Sequence, residues 1–293
     1  MTDRAVITVP DHFPPAWAGG WGEDVRGVYA ELLLGGVVLE LRWISPGNFL
    51  MGSPEDEAGR WADEGPQHLV TLTRGFWLGA TPCTQEQWQA VIGKNPSESQ
   101  GQRRPVENVR WNDAAEFCGN LTRLARESGA MPADFEFRLP TEAEWEYACR
   151  AGTTSAFNDE SNCTKPEGKD PALERLGWYD QNSGNETHPV GEKSPNTWGL
   201  YDMHGNVWEW CADYWADRYS AEAQTDPTGP KEGAGRVVRG GSCWFNAGWC
   251  RSADRDWSVP GDRDRGLGFR LAAGQPVGSG ATGLEAGGAE RRG

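Results

Sequence analysis

Trp244, Phe245, Trp249 and Trp257 crowd one stretch of chain. Interleaved with or following them are Asn246, Asp254, Asp256, Ser258, Val259, Asp262, Asp264 and Arg265. Rigid rings beside short polar groups are the composition of a binding surface: the rings supply area at low entropic cost and the polar groups select. Rings of this size also build cores, so residue type alone leaves both roles open. Cys243 and Cys250 bracket the first half of the stretch, as plain thiols or as a disulfide. A second segment offers oxygen chemistry. The Asp202 and Glu209 carboxylates, with the Gly205 and Val207 carbonyls, are ligands of the kind calcium takes. The same acids serve equally well to accept loop N–H groups.

Other chemistries are excluded by spacing. Cys83, Cys118, Cys149, Cys163 and Cys211 join the two above to make 7, an odd number with no CxxC pair, which is no zinc pattern. His12, His68, His188 and His204 are scattered, with no HxxxH or HxE spacing. No glycine-rich phosphate loop and no Ser/His/Asp pattern stands out. The net charge of −15 argues against nucleic acid and against an anionic membrane surface. No apolar run approaches the length of a membrane span. The polar, proline-broken stretch 1–15 does not read as a signal peptide, so a cytoplasmic chain with reduced, mostly buried thiols is expected.

Several elements must position these groups. The runs 28–34 and 37–44 flank Gly35-Gly36 and predict a hairpin, because glycine takes positive φ at both turn positions without penalty. Further strands are expected at 47–51, 70–73 and 76–78. Thr84 with Gln87, and Thr141 with Glu144, have capping-box spacing and start two helices; Trp145, Ala148 and Cys149 then face inward on the second. Asn112-Asp113 is the expected cap of a third, with Ala115, Phe117, Cys118, Leu121 and Leu124 as its apolar stripe. With 39 Gly, 19 Pro and 16 Trp in 293 residues, the rest is loop stitched by tryptophan. The expected class is therefore an irregular α+β domain of low secondary-structure content. It divides into an extended lead-in at 1–26, one domain at 27–273 and a disordered tail at 274–293.

Five motifs in order carry a family resemblance. They are Gly47-Asn48-Phe49-Leu50-Met51-Gly52-Ser53, Arg138-Leu139-Pro140-Thr141-Glu142-Ala143-Glu144-Trp145-Glu146-Tyr147-Ala148, Gly199-Leu200-Tyr201-Asp202-Met203-His204-Gly205-Asn206-Val207-Trp208-Glu209-Trp210, Arg239-Gly240-Gly241-Ser242 and Gly268-Phe269-Arg270. Together they resemble the formylglycine-generating-enzyme, or sulfatase-modifying-factor, family. That resemblance implies a C-type-lectin-type fold and structural calcium on Asp202, Gly205, Val207 and Glu209, with a second calcium between 178 and 190. It also implies a copper(I) site on two cysteines after the Arg-Gly-Gly-Ser motif. Here the first of these positions holds Phe245 and the second holds Cys250, so the copper pair is incomplete and no copper is expected. The family's iron-dependent branch needs a histidine cluster that the four scattered histidines do not supply. The segment 243–266 is similar instead to the variable proteins of diversity-generating retroelements, which diversify a ligand-binding face on this fold.

The expectation is thus a non-enzymatic chain that binds a protein or small-molecule ligand. Its binding face would comprise Cys243, Trp244, Phe245, Asn246, Trp249, Asp254, Asp256, Trp257, Ser258, Val259, Asp262, Asp264 and Arg265. Its alternatives are a copper-dependent oxidase acting on a sulfatase cysteine and an accessory protein without a ligand face.

Overall fold

A computed structural model describes residues 9–277. Its strands are β1 (Gly20–Asp24), β2 (Gly27–Leu34), β3 (Val37–Ile44), β4 (Gly47–Met51), β5 (His68–Leu72), β6 (Phe76–Gly79), β7 (Glu136–Arg138), β8 (Trp208–Tyr214), β9 (Gln224–Thr225), β10 (Arg236–Arg239), β11 (Arg255–Ser258), β12 (Leu267–Gly268) and β13 (Ala272–Gly274). The helices are α1 (Gln85–Ile92), α2 (Trp111–Glu127), α3 (Glu142–Arg150) and the single turn α4 (Leu173–Leu176). Among the described residues the strands build three sheets, ordered β1-β2-β3-β6-β13-β7, β11-β10-β8-β12 and β4-β5-β9. This is the irregular α+β class expected from the composition.

The β2–β3 hairpin forms as its glycines require: Leu34 pairs with Val37, and Gly35 and Gly36 take φ of 58° and 97°. Both capping boxes close. Thr84 accepts from Gln87 N–H at 3.3 Å and Thr141 from Glu144 N–H at 3.1 Å, with the reciprocal side-chain bonds in place. The start of α2 differs from expectation. Its N-cap is Arg110, and Asp113 sits one turn in, accepting the Arg110 N–H at 3.0 Å. Its buried stripe is Ala114, Phe117, Cys118, Leu121 and Ala125, so Ala115 is only half-buried and Leu124 points to solvent. The lead-in also needs correction. Trp17 is buried, edge-on to Trp77 and Phe137 with ring centres 5.6 Å away, and β1 extends the six-stranded sheet. At the other end Gly274 belongs to β13, paired with Glu136. The remainder of the expected tail from 278, like residues 1–8, lies outside the described residues.

Six tryptophans, Trp17, Trp77, Trp88, Trp145, Trp208 and Trp210, are buried and take the place of a larger aliphatic core. Beside them lies a set of buried arginines, each matched to carboxylates. Arg270 clasps Glu209 at 2.6 and 2.7 Å, Arg251 clasps Glu64 at 2.5 and 2.8 Å, and Arg255 clasps Glu142 at 2.7 and 2.9 Å. Arg239 and Arg150 share Glu146. Burial pushes the Glu142 carboxyl up, but Arg255 and Arg239 more than offset this and hold it below its ordinary range. These pairs lock the loops after β10 onto α3 and the 52–67 loop. No helix among the described residues is long and apolar enough to cross a membrane.

Candidate functional site: an aromatic cleft on the four-stranded sheet

The four-stranded sheet has a cleft of about 380 Å³ lined by Trp208, Val238, Trp244, Phe245, Asp256, Trp257, Ser258, Asp264, Arg265 and Leu267. Its floor is Trp208 of β8, Val238 of β10 and Leu267 of β12, all buried. Register explains the floor and one wall. Val238 pairs with Asp256, and Leu267 with Trp208, so these side chains emerge on one face. Two loops supply the rest: Trp244 and Phe245 follow β10, and Asp264 and Arg265 precede β12.

The loop after β10 is folded in by Gly240 and Gly241, at φ of 98° and 70°. A methyl at Gly241 would stand 2.6 Å from the Cys250 sulfur. That turn drives Cys243 inward and brings Trp244 and Phe245 to the rim. Phe245 packs edge-on to Trp208 with centres 5.6 Å apart, and against Trp249 at 5.5 Å; Trp249 in turn meets the exposed Trp61 at 5.3 Å. A continuous line of rings thus runs from the acidic 52–67 loop to the cleft floor. The Arg265 guanidinium lies over the Trp244 ring at 3.8 Å. The Trp244 indole N–H has no hydrogen-bond partner among the described residues.

Seven of the residues expected to form a binding face therefore line one cleft: Trp244, Phe245, Asp256, Trp257, Ser258, Asp264 and Arg265. Trp257 contributes from the strand edge. It pairs with Val237, one residue out of phase with Asp256, and its ring lies on Gly235, where a methyl would come within 2.2 Å. Trp249 stands behind Phe245. Asn246 accepts the Gly248 N–H at 3.1 Å and caps the short 3₁₀ turn Ala247–Cys250, an architectural task. Val259 and Asp262 are exposed on the β11–β12 loop, outside the cleft lining.

Cys243 and Asp254 are corrections. Both are 0% exposed, so neither belongs to a surface. Burial pushes the Cys243 thiol up to about 12 and the Asp254 carboxyl well above its ordinary range. Asp254 faces Arg251 at 3.6 Å, and among the described residues neither of its oxygens has a hydrogen-bond partner. All seven cysteines are free thiols, so the disulfide alternative for Cys243 and Cys250 is not realised. The expected binding face left out Trp208, and with it Val238 and Leu267. Strand alternation from Trp208 and Asp256 was the signal for the latter two, but it becomes usable only once the pairing is known.

In the second segment a methyl at Gly205 would stand 2.2 Å from the Trp178 carbonyl oxygen, a close approach only glycine permits. Asp202 accepts from Gly191 N–H at 2.8 Å, and burial pushes its carboxyl up to about 6. Glu209 is more fully engaged. Its Oε2 accepts from Arg270 Nε at 2.6 Å and Trp145 Nε1 at 2.7 Å, and its Oε1 from Arg270 Nη2 at 2.7 Å. Those donors use three of the four lone-pair positions, so a calcium ion fits here only through a single contact to Oε1. His204 is a core residue. Its Nδ1 donates to the Cys250 carbonyl at 2.7 Å, its Nε2 accepts the Asn158 N–H at 3.3 Å, and burial lowers its pKa to about 4.

Comparison with known proteins agrees with this architecture. Residues 38–274 match the family described as "Sulfatase-modifying factor enzyme 1-like domain". The formylglycine-generating enzyme of Streptomyces coelicolor is 37% identical over 74% of this chain and 70% of its own length. The mouse enzyme of that name is 34% identical over 70% of this chain, which spans about half (53%) of the mouse protein. Among solved structures, Treponema denticola variable protein 1 superposes with a TM-score of 0.73 at 34% identity, covering 85% of this chain and 99% of that one. PvdO from Pseudomonas aeruginosa superposes with a TM-score of 0.66 at 28% identity, covering 87% and 98%. The fold is thus the C-type-lectin-type, formylglycine-generating-enzyme-like fold, and the chain belongs to the sulfatase-modifying factor enzyme 1-like family.

Proposed function

We propose that this chain is a non-enzymatic ligand-binding protein that presents the cleft on its four-stranded sheet to a protein or small-molecule ligand. The single observation carrying this reading is the convergence of Trp244, Phe245, Asp256, Asp264 and Arg265, from two loops and one strand, around an apolar floor. The likeness to a protein called a variable protein supports it, since that neighbour shares the fold nearly end to end. The buried arginine pairs supply what such a surface needs: loops whose backbone is held independently of whichever side chains stand on the rim.

The relatives named formylglycine-generating enzymes favour a second reading, an oxidase acting on a sulfatase cysteine. Against it, the position the resemblance gives to the first copper cysteine holds Phe245, whose ring packs on Trp208 and Trp249. Cys250 is itself buried, with its thiol pushed well above the ordinary range. Incubating the chain aerobically with copper(I) and a cysteine-containing sulfatase-type peptide separates the two readings; an aldehyde product would sink the non-enzymatic one. Calcium on Asp202, Gly205, Val207 and Glu209 belongs to the same proposal as a structural ion, with Glu209 a single-contact ligand. For the binding reading, a displayed peptide library is screened against the parent chain and against Trp244→Ala. Binders that depend on Trp244 are expected; an empty or Trp244-independent selection overturns it.

A further inference from the structure

Resting on that ligand-binding reading, we infer that the cleft is built for a cationic side chain, a guanidinium or ammonium group carried by a peptide or protein partner.

Two groups of carboxylates in this molecule contrast. Glu64, Glu142, Glu146 and Glu209 lie in the interior, and each is clasped by an arginine. Asp256 and Asp264 line the cleft, and neither has an ion pair within the described residues. The Asp256 Oδ1 accepts only the neighbouring Trp257 N–H, at 2.8 Å, and the Asp264 Oδ1 accepts the Gly266 N–H at 2.7 Å. Asp256 is half-buried, and burial raises its carboxyl above the ordinary range. A ligand that fills the cleft removes more of its water. If the ligand is neutral and apolar, that desolvation goes uncompensated; if it is anionic, it meets two carboxylates and a chain of net charge −15. A cation reverses both costs.

The rings point the same way. The faces of tryptophan and phenylalanine attract cations, and the cleft already shows this with its own side chain, the Arg265 guanidinium on the Trp244 face at 3.8 Å. Arg265 occupies that face and leaves Phe245 and the Trp208 floor for an incoming group. With Arg265 counted, Asp256 and Asp264 still leave the lining with an excess negative charge. An acidic cleft with aromatic walls thus matches a basic partner in both charge and surface.

The test uses three small probes of matched size on the full chain: N-acetyl-arginine amide, its neutral isostere N-acetyl-citrulline amide, and N-acetyl-glutamate amide. Binding is followed by the indole N–H resonances of Trp244 and Trp208. The arginine probe is expected to shift both signals and to bind at least about tenfold tighter than citrulline, with glutamate weaker still. Asp256→Asn keeps Oδ1 as acceptor for Trp257 N–H, so it should leave the melting temperature unchanged and lose about tenfold for the arginine probe only. Equal binding of arginine and citrulline, or preference for glutamate, overturns the cation assignment while leaving the cleft a ligand site. No shift with any probe also overturns it. The ligand-binding reading itself is judged separately, by the Trp244-dependent library selection.

Discussion

The interior behind β10 and the cleft in front of it use the same residue types in opposite ways. Behind, Arg239, Arg251, Arg255 and Arg270 are buried, and each charge meets a carboxylate in a fixed geometry, through at least two hydrogen bonds for Arg251, Arg255 and Arg270. In front, Arg265 lies on a ring, and Asp256 and Asp264 carry only backbone N–H partners. A buried ion pair adds little net stability over an apolar substitute, yet removing one member leaves a charge stranded. It therefore fixes a loop position without tolerating change. The rim has the reverse property, because little in the core depends on it. The lesson is a division of labour: shape is held by the buried pairs, and recognition is left to residues that can be exchanged without unfolding the chain.

The sharpest way to break this comparison is Arg270→Met. Stranding Glu209 should cost about 3–5 kcal/mol in urea unfolding, and a loss as small as that of a rim substitution would erase the distinction. Next comes Glu107, buried beside the loop that supports Asp264. Its Oε1 accepts the Glu98 and Ser99 N–H groups at 2.5 and 2.9 Å, and its Oε2 has no hydrogen-bond partner among the described residues. Burial pushes its pKa up to about 7. The folded state therefore keeps a proton that the unfolded chain gives up near pH 4.5, so this residue's contribution to stability falls as pH rises from about 4.5 to about 7. Glu107→Gln should remove that slope. The variant should exceed the parent at pH 8 by roughly 3 kcal/mol and not at pH 4; parallel pH profiles would refute it. Calcium is expected to act more weakly. In EGTA-treated protein, a tenfold excess of calcium over Kd should stabilise by roughly 1.4 kcal/mol, and an unchanged melting curve removes the ion. The smallest stability change is expected at the rim. Trp244→Ala should cost about 1 kcal/mol or less while abolishing ligand capture, and a drop as large as that for Arg270 would make Trp244 a core residue.

Much of this was legible in the chain. The Gly35-Gly36 hairpin, the boxes at Thr84 and Thr141 and the inward face of Trp145 follow from local rules, because each depends on residues within a few positions. The start of α2 was misread, since both Asn112 and Asp113 suit a cap, and the pair formed by Arg110 N–H and Asp113 decided the matter. In the candidate site, seven of the expected residues converged, but Cys243 and Asp254 turned inward. Residue type cannot report direction in a loop. Arg239 donates to the Asp254 carbonyl and Arg251 to Glu64, and those distant bonds set which way the segment faces.

By itself, then, the sequence determined the family, the irregular α+β class, the caps and turns, and the segment that carries the exposed chemistry. Local hydrogen bonding, glycine backbone freedom and aromatic composition are properties of short stretches. Only the tertiary structure decided which aromatic rings line the cleft, that Val238 and Leu267 form its floor with Trp208, and that Asp256 has no ion pair among the described residues while Glu209 has one. Those outcomes depend on strand register and on arginines reaching across the fold, and both come from pairings far apart along the chain.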